Sequence, residues 1–257
     1  MSNSVAWENF RKWWKAHELK EDLNYLKTSY HDHPLLTLAM AQSRSVTAVI
    51  DVKEMKFLYW SGNVKELVGW NDQDFVDGGV EFAYSKFHPQ DLPGINHFTE
   101  LITNYYKSLP ESEKTHFRNY RDHRFIKPDG EYIRLLQQGS VLKYDSEGNI
   151  AAQLILVSGA TNYKNDKSMH LRLTNGKENR LYEYNLELGR LIALECPSKR
   201  ELEVFTYISK GDDRTEIAER LGISFDTLKK HCQHVLQKLR VKSSLEAISL
   251  LKILGFL

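Results

Sequence analysis

Cysteine is scarce in this chain, with only Cys196 and Cys232 among 257 residues. Two thiols supply neither a disulfide framework nor a four-thiolate zinc site. Long apolar runs are missing too. None approaches the ~18 residues that a membrane-spanning helix needs. The charged start, MSNSVAWENFRKWWKAHE, is unlike a signal peptide. Charge of one sign is not in excess either: Lys+Arg 35 against Asp+Glu 34 leaves +1. The whole chain is therefore no polycation, and any nucleic-acid surface must be local. Catalytic signatures are absent as well, with no Gly-x-Ser-x-Gly, phosphate-binding glycine loop or His-Glu-x-x-His. The expectation is a protein without enzymatic activity. What is present, 41% hydrophobic and 27% charged residues, is a globular composition. The length suits one large or two modest domains. A soluble, reduced, cytoplasmic protein is expected.

The first 33 residues read as an amphipathic helical segment. Phe10, Trp13, Trp14 and His17 follow the i, i+3, i+4, i+7 spacing, and Leu19, Leu23, Leu26 and Tyr30 continue the stripe. Core packing and a dimer seam both fit it. His31-Asp32-His33 precedes Pro34 and reads as a solvated loop, without partners at metal-ligand spacing. From Ser45 the pattern changes to strands at Val46–Val52 and Lys56–Trp60, joined by Lys53-Glu54-Met55. Short helical patches follow at Val64–Val68, Gln73–Phe75 and Phe98–Tyr106. Longer strands return at His116–Ile126, Tyr132–Tyr144 and Ile150–Ser158, separated by turn-forming Lys127-Pro128-Asp129-Gly130 and Asp145-Ser146-Glu147-Gly148-Asn149. Antiparallel strands joined by short turns place the chain in the α+β class.

Two strands, a helical crossover and a three-stranded meander are the order of a PAS domain. The resemblance is carried by His88-Pro89-Gln90-Asp91, by Lys127-Pro128-Asp129-Gly130-Glu131-Tyr132, by Gly148-Asn149 and by Gly159-Ala160-Thr161. It implies a PAS-like sensor domain over 34–163, an antiparallel sheet with flanking helices. No cofactor is evident, and a small-molecule ligand or a protein partner at this domain stays open. The reactive cysteine of flavin photoreceptors is absent from it, as are the aspartate cluster and lysine of a phosphoacceptor receiver. Haem ligation through His88, His97, His116 or His123 is left open. Residues 164–195 read as a partly ordered connector, with a hairpin suggested around Asn175-Gly176.

Residues 196–257 carry the most information. Ser198-Lys199-Arg200-Glu201 spells a capping box, and the helix after it runs to Gly211. Asp213-Arg214-Thr215-Glu216 opens a second helix with Ile217, Ala218 and Leu221 inward. Gly222 can stop that helix in the left-handed conformation, and Ser224 caps a third. Two short helices joined through Gly-Ile-Ser form a helix-turn-helix pattern. At about 100° per residue, Leu228, Cys232, Val235, Leu236 and Leu239 share the packed side of the third helix. Lys230, Gln233, His234 and Gln237 lie opposite, with Lys229 on the flank. No acidic residue occurs between Thr227 and Leu245, whereas Lys229, Lys230, Lys238, Arg240 and Lys242 all do. A lysine- and amide-lined face without carboxylates suits double-stranded DNA, with Lys238, Arg240 and Lys242 on phosphate.

This segment is similar to the DNA-binding domain of LuxR-type transcription regulators. The matching residues include Ser198, Glu201, Glu203-Val204, Gly211, Glu216-Ile217-Ala218-Glu219-Arg220-Leu221, Ile223-Ser224, Thr227-Leu228-Lys229 and His231. They run on through Leu236, Lys238-Leu239, Val241 and Ala247. The resemblance implies that Thr227, Lys229, Lys230 and Gln233 touch phosphates and base edges, and that the last helix, Ser244–Leu254, dimerises. Leu245, Ile248, Leu251 and Lys252 would form that seam, at i, i+3, i+6 and i+7. The alternative is that this apolar surplus packs against the PAS-like region of the same chain. Lys199, Thr215, Cys232 and Gln233 depart from the family pattern, which leaves sequence preference open.

The leading expectation is a transcription regulator, binding DNA as a homodimer, whose PAS-like domain controls an all-α helix-turn-helix domain. A protein-interaction module, with the helix-turn-helix used only for packing or dimerisation, is the alternative. Cys232 is expected to be a small buried hydrophobe rather than a redox switch.

Overall fold

The computed structural model describes Glu8 and residues 45–60, 63–160 and 167–257. Glu8 apart, the expected N-terminal helix and His31-Asp32-His33 lie outside the described residues. In chain order the elements are β1 (Val46–Asp51), β2 (Lys56–Trp60), α1 (Val64–Val68), α2 (Asp72–Ser85), α3 (Leu92–Ser108) and α4 (Glu111–Lys114). Then come β3 (Arg118–Ile126), β4 (Tyr132–Tyr144), β5 (Ile150–Gly159), β6 (Ser168–Thr174), β7 (Asn179–Asn185) and β8 (Arg190–Leu194). Four helices close the chain: α5 (Lys199–Lys210), α6 (Arg214–Arg220), α7 (Phe225–Leu239) and α8 (Ser244–Ile253).

All the named strands join one sheet in the order β2-β1-β5-β4-β3-β6-β7-β8, with antiparallel neighbours. The first five strands and the crossover helices follow the expected PAS-like order. Within the expected connector, Ser168–Leu194 does more than connect. Arg118 to Arg121 of β3 pair with Thr174 to Leu171 of β6, so β6, β7 and β8 extend the sheet. Asn175-Gly176 forms the β6–β7 turn, Asn175 Oδ1 accepting from the amides of Lys177 and Glu178 at 3.1 and 2.8 Å.

Local chemistry sets the crossover. Asp91, the last residue of His88-Pro89-Gln90-Asp91, is fully buried and accepts from the Arg124 amide at 2.7 Å and from its Nε at 3.0 Å. The start of α3 is thereby tied to β3. Helix α2 kinks at Gly79, where φ is +60°. A Cβ there would stand 2.8 Å from the Met55 carbonyl, which accepts from the Val80 amide at 3.0 Å. Only glycine lets the helix approach the β1–β2 turn so closely.

The sheet separates two helical layers. Helices α1–α3 cover one face, where Phe117, Leu171, Leu173 and Tyr184 pack with Ile95, Phe98 and Tyr106. The opposite face meets α5–α8, with Leu181, Leu136 and Leu194 joining the core built from Val204, Phe205, Leu228, Val235 and Leu250. Helix α8 lies against β3. Arg172 of β6 fixes this contact, donating to the carbonyls of Leu254 and Gly255 at 2.8 and 2.6 Å. Its guanidinium also stacks 3.9 Å from the Phe256 ring centroid. Gly255 is in the left-handed region at φ +64°, and a Cβ there would collide with the Tyr120 ring. Leu250, Leu251 and Leu254 of the last helix are thus buried within the chain, whereas Leu245 stays exposed. Among the described residues no helix is long and apolar enough to cross a membrane.

Candidate nucleic-acid interface and sensor cavity

Three caps position the helix-turn-helix. The Ser198 amide donates to Glu201 Oε2 at 2.7 Å and the Glu201 amide to Ser198 Oγ at 3.3 Å, so the capping box is formed. Asp213 accepts from the Thr215 amide at 2.7 Å and starts α6. Gly222 takes φ +63° between α6 and α7, and Ser224 Oγ accepts from the Thr227 amide at 3.1 Å. Leu228, Cys232, Val235 and Leu239 are buried on the inner side of α7, the Cys232 thiol pushed up by burial.

The outer side of α7 is open. Lys229, Lys230, Gln233, His234 and Gln237 are exposed and Thr227 half-buried. Lys242 is exposed beyond the helix. Lys229, Lys230 and Lys242 have no ion pair among the described residues.

Lys238 and Arg240 behave differently from that expectation. Lys238 Nζ lies 2.7 Å from Glu201 Oε2, with its side chain only 22% exposed. Burial pushes the Glu201 carboxyl up, but Lys238 and the Ser198 amide outweigh it and hold the group below its usual range. Arg240 is the left-handed C-cap of α7, and its Nε reaches Glu183 Oε2 of β7 at 3.2 Å. Both cations expected on phosphate are therefore already paired, because long-range folding brings carboxylates to a stretch that has none in sequence. His234 Nδ1 also lies 3.6 Å from Glu201 Oε1.

The expected dimer seam needs one correction. Leu251 is fully buried in this chain's own core, beside Leu250 and Leu254, because α8 docks on the sheet. Leu245 is 75% exposed, Lys252 exposed and Ile248 half-buried. Phe225, half exposed at the start of α7, was not among the sequence candidates. Its position after the Ser224 cap, outside the apolar stripe, was the available signal.

The sheet's other face holds a cavity of about 120 Å³. Its walls are mainly apolar, including Phe57, Trp60, Phe75, Phe87 and Ile95. Asn119, Arg121 and His123 line it from β3, and Gln137 from β4. Sequence reasoning picked out His123 only as one of four haem-ligand candidates, and Arg121 not at all. Burial, reinforced by Arg121, pulls His123 down to about 3, so it is neutral near pH 7. Burial also pulls the Arg121 guanidinium down to about 10, leaving it charged near neutrality. The cavity, benzene-sized by comparison with known protein cavities, is far smaller than a porphyrin, so the haem option at His123 falls.

Two family models match the chain. Residues 198–251 match that of bacterial regulatory proteins, luxR family, and residues 57–153 match that of the PAS fold. The C-terminal domain is LuxR-type. Its partner in the chain is a PAS-like sheet domain. Among curated proteins, the oxygen regulatory protein NreC of Staphylococcus haemolyticus (strain JCSC1435) is 27% identical over 144 residues, 55% of this chain and 63% of that protein. NreC of Staphylococcus carnosus (strain TM300) is 47% identical over 51 residues, 20% of this chain and 24% of that protein. The chain thus spans less than two thirds of these relatives. Among solved structures, a Vibrio cholera VqmA–ligand–DNA complex is 18% identical, covering 88% of this chain and 89% of that one, at a TM-score of 0.34. The N-terminal domain of a Marinobacter aquaeolei diguanylate cyclase with PAS/PAC sensor is 19% identical, covering 45% and 94%, at a TM-score of 0.36.

Proposed function

We propose that this protein is a cytoplasmic, non-enzymatic transcription regulator whose LuxR-type helix-turn-helix binds double-stranded DNA under control of the PAS-like domain. The carrying observation is the open side of α7, where Lys229, Lys230, Gln233, His234 and Gln237 are exposed in a stretch without carboxylates. Thr227, Lys229, Lys230 and Gln233 are assigned to phosphates and base edges, and Lys242 to phosphate. Lys238 and Arg240 join them only after leaving Glu201 and Glu183. The sensor domain is assigned the sheet through Leu194 rather than stopping at residue 163, since β6–β8 are part of it. The DNA-bound species is a homodimer, in which Leu245, Ile248 and Lys252 remain available on α8.

A duplex selected from a random pool by the full chain provides the ligand. Base-reading residues contribute about 1–3 kcal/mol each, with relaxed sequence preference on removal. The Lys230→Ala, Gln233→Ala double variant is expected to fold normally and to lose at least that much in a mobility-shift titration. Unchanged binding rules this face out. Failure of the parent chain to select any duplex favours the protein-interaction module instead.

A further inference from the structure

The cavity contains a charge without a counter-charge. Asn119, Arg121, His123 and Phe125 alternate along β3 and line one wall. Arg121 donates from Nη2 to Gln137 Oε1 at 3.2 Å, and its Nε is shielded from solvent without any acceptor. No carboxylate of the described residues makes an ion pair with it. His123 Nδ1, two residues along the same wall, is likewise buried without a partner. Buried polar atoms are almost always satisfied, and here the Nε of a half-buried Arg121 and the Nδ1 of a buried His123 are not. Two orphaned polar atoms facing one apolar cavity are what a site looks like before its guest arrives.

The guest's chemistry follows from the walls. A guanidinium asks for an anion that can take its N–H fork, and a carboxylate has the matching geometry. The space accommodates a body near the size of benzene. Phe57, Phe75 and Phe87 give that body aromatic and apolar neighbours. A neutral His123 can exchange one further hydrogen bond with a polar substituent.

We propose that the cavity binds a small monocarboxylate with a compact apolar or aromatic body, its carboxylate seated on Arg121. This rests on the sensor reading for its consequence at DNA, though not for the binding itself.

Isothermal titration of the full chain with sodium benzoate, and separately with the neutral isostere benzamide, tests it. Benzoate is expected to bind at least about tenfold tighter than benzamide. Arg121→Met is expected to fold, since Arg121 holds no ion pair among the described residues, and to lose that preference. Arg121→Lys retains charge without the fork and is expected to fall between the two. Thermal melting of each variant checks the fold. No benzoate binding at millimolar concentration, benzamide binding as tightly, or an Arg121→Met chain that keeps the benzoate preference each overturns the assignment. A mobility shift on the same samples keeps the two readings apart: benzoate binding without any DNA binding upholds the ligand class and sinks the regulator.

Discussion

The two sides of strand β3 treat their polar groups in opposite ways. On the side facing α8, Asp122 is fully buried and saturated. Arg134 pairs with it, and the His170 amide donates to Oδ1 at 2.7 Å. Burial works against the carboxylate, but Arg134 and His170 hold it below the usual range. On the cavity side, Arg121 has one amide oxygen and an orphaned Nε, and His123 has an orphaned Nδ1. A closed polar cluster specifies how a sheet docks; an open one is a receptor. Because the residues alternate, one strand presents Arg121 and His123 to the cavity and Tyr120 and Asp122 to the face under the helix-turn-helix.

The sharpest way to break this contrast is to alter one charge on each side. Asp122→Ala removes the partner of a buried arginine and strands Arg134. Such losses cost about 3–5 kcal/mol. Urea unfolding is expected to show a fall of that size. Arg121→Met deletes a charge that was never balanced, and is expected to leave stability equal or higher. Equal losses in both variants would abolish the distinction between a structural and a receptive face.

A smaller effect separates the same faces by pH. His123 has a native pKa near 3, against an ordinary value near 6.5 in the unfolded chain. Below about pH 6.5 the unfolded chain takes up a proton that the native chain refuses, so stability falls as pH falls. The slope approaches about 1.4 kcal/mol per pH unit and ends only near pH 3, where native His123 charges too. Arg121, Asp122 and Arg134 surround the ring electrostatically, and Phe87 meets it edge-on. Asp122 is held below the usual carboxylate range, and because the chain has ten histidines the comparison of wild type with the variant, not the wild-type slope alone, reports His123. Denaturation across that interval is expected to flatten in His123→Gln. A wild-type slope retained in the variant assigns the effect elsewhere.

What was legible in the sequence follows the range of the interactions. Ser198 with Glu201, Gly222 and Ser224 define the helix-turn-helix through bonds that span a few residues, so local spelling reveals them. The PAS-like strands were legible through alternation and turn chemistry, as at Lys127-Pro128-Asp129-Gly130. Residues 164–195 read only as a partly ordered connector, because a strand such as Arg190–Leu194 exists through its pairing with β7. Leu251 looked like spare apolar surface because nothing in α8 records the sheet it packs on. Arg121 reads as an ordinary strand residue and His123 only as one of four histidines open to haem, since the cavity needs α1–α3 laid across the sheet to exist. Arg240 was read as free because Glu183 is distant in sequence and adjacent only in the fold.

That last pair gives the smallest and most discriminating effect. Arg240 remains 47% exposed while Glu183 is 7% exposed, so the carboxylate belongs to the sheet and the cation can swing away. In the proposed DNA complex a phosphate drawing Arg240 away must first break this contact, so the sheet domain would compete with DNA for one end of α7. Partly exposed ion pairs are worth about 0–1 kcal/mol, so the competition is a bias rather than a lock. Glu183→Gln keeps shape and removes the charge. It is expected to tighten DNA binding by no more than about fivefold, the equivalent of about 1 kcal/mol. If freed Arg240 engages a phosphate that wild type leaves alone, the slope of log affinity against log salt steepens by about 0.9. Titrations of both chains on one duplex over a series of salt concentrations measure both quantities. An unchanged slope with unchanged affinity shows that Arg240 stays with the sheet in the bound state, and removes it from the DNA-facing surface.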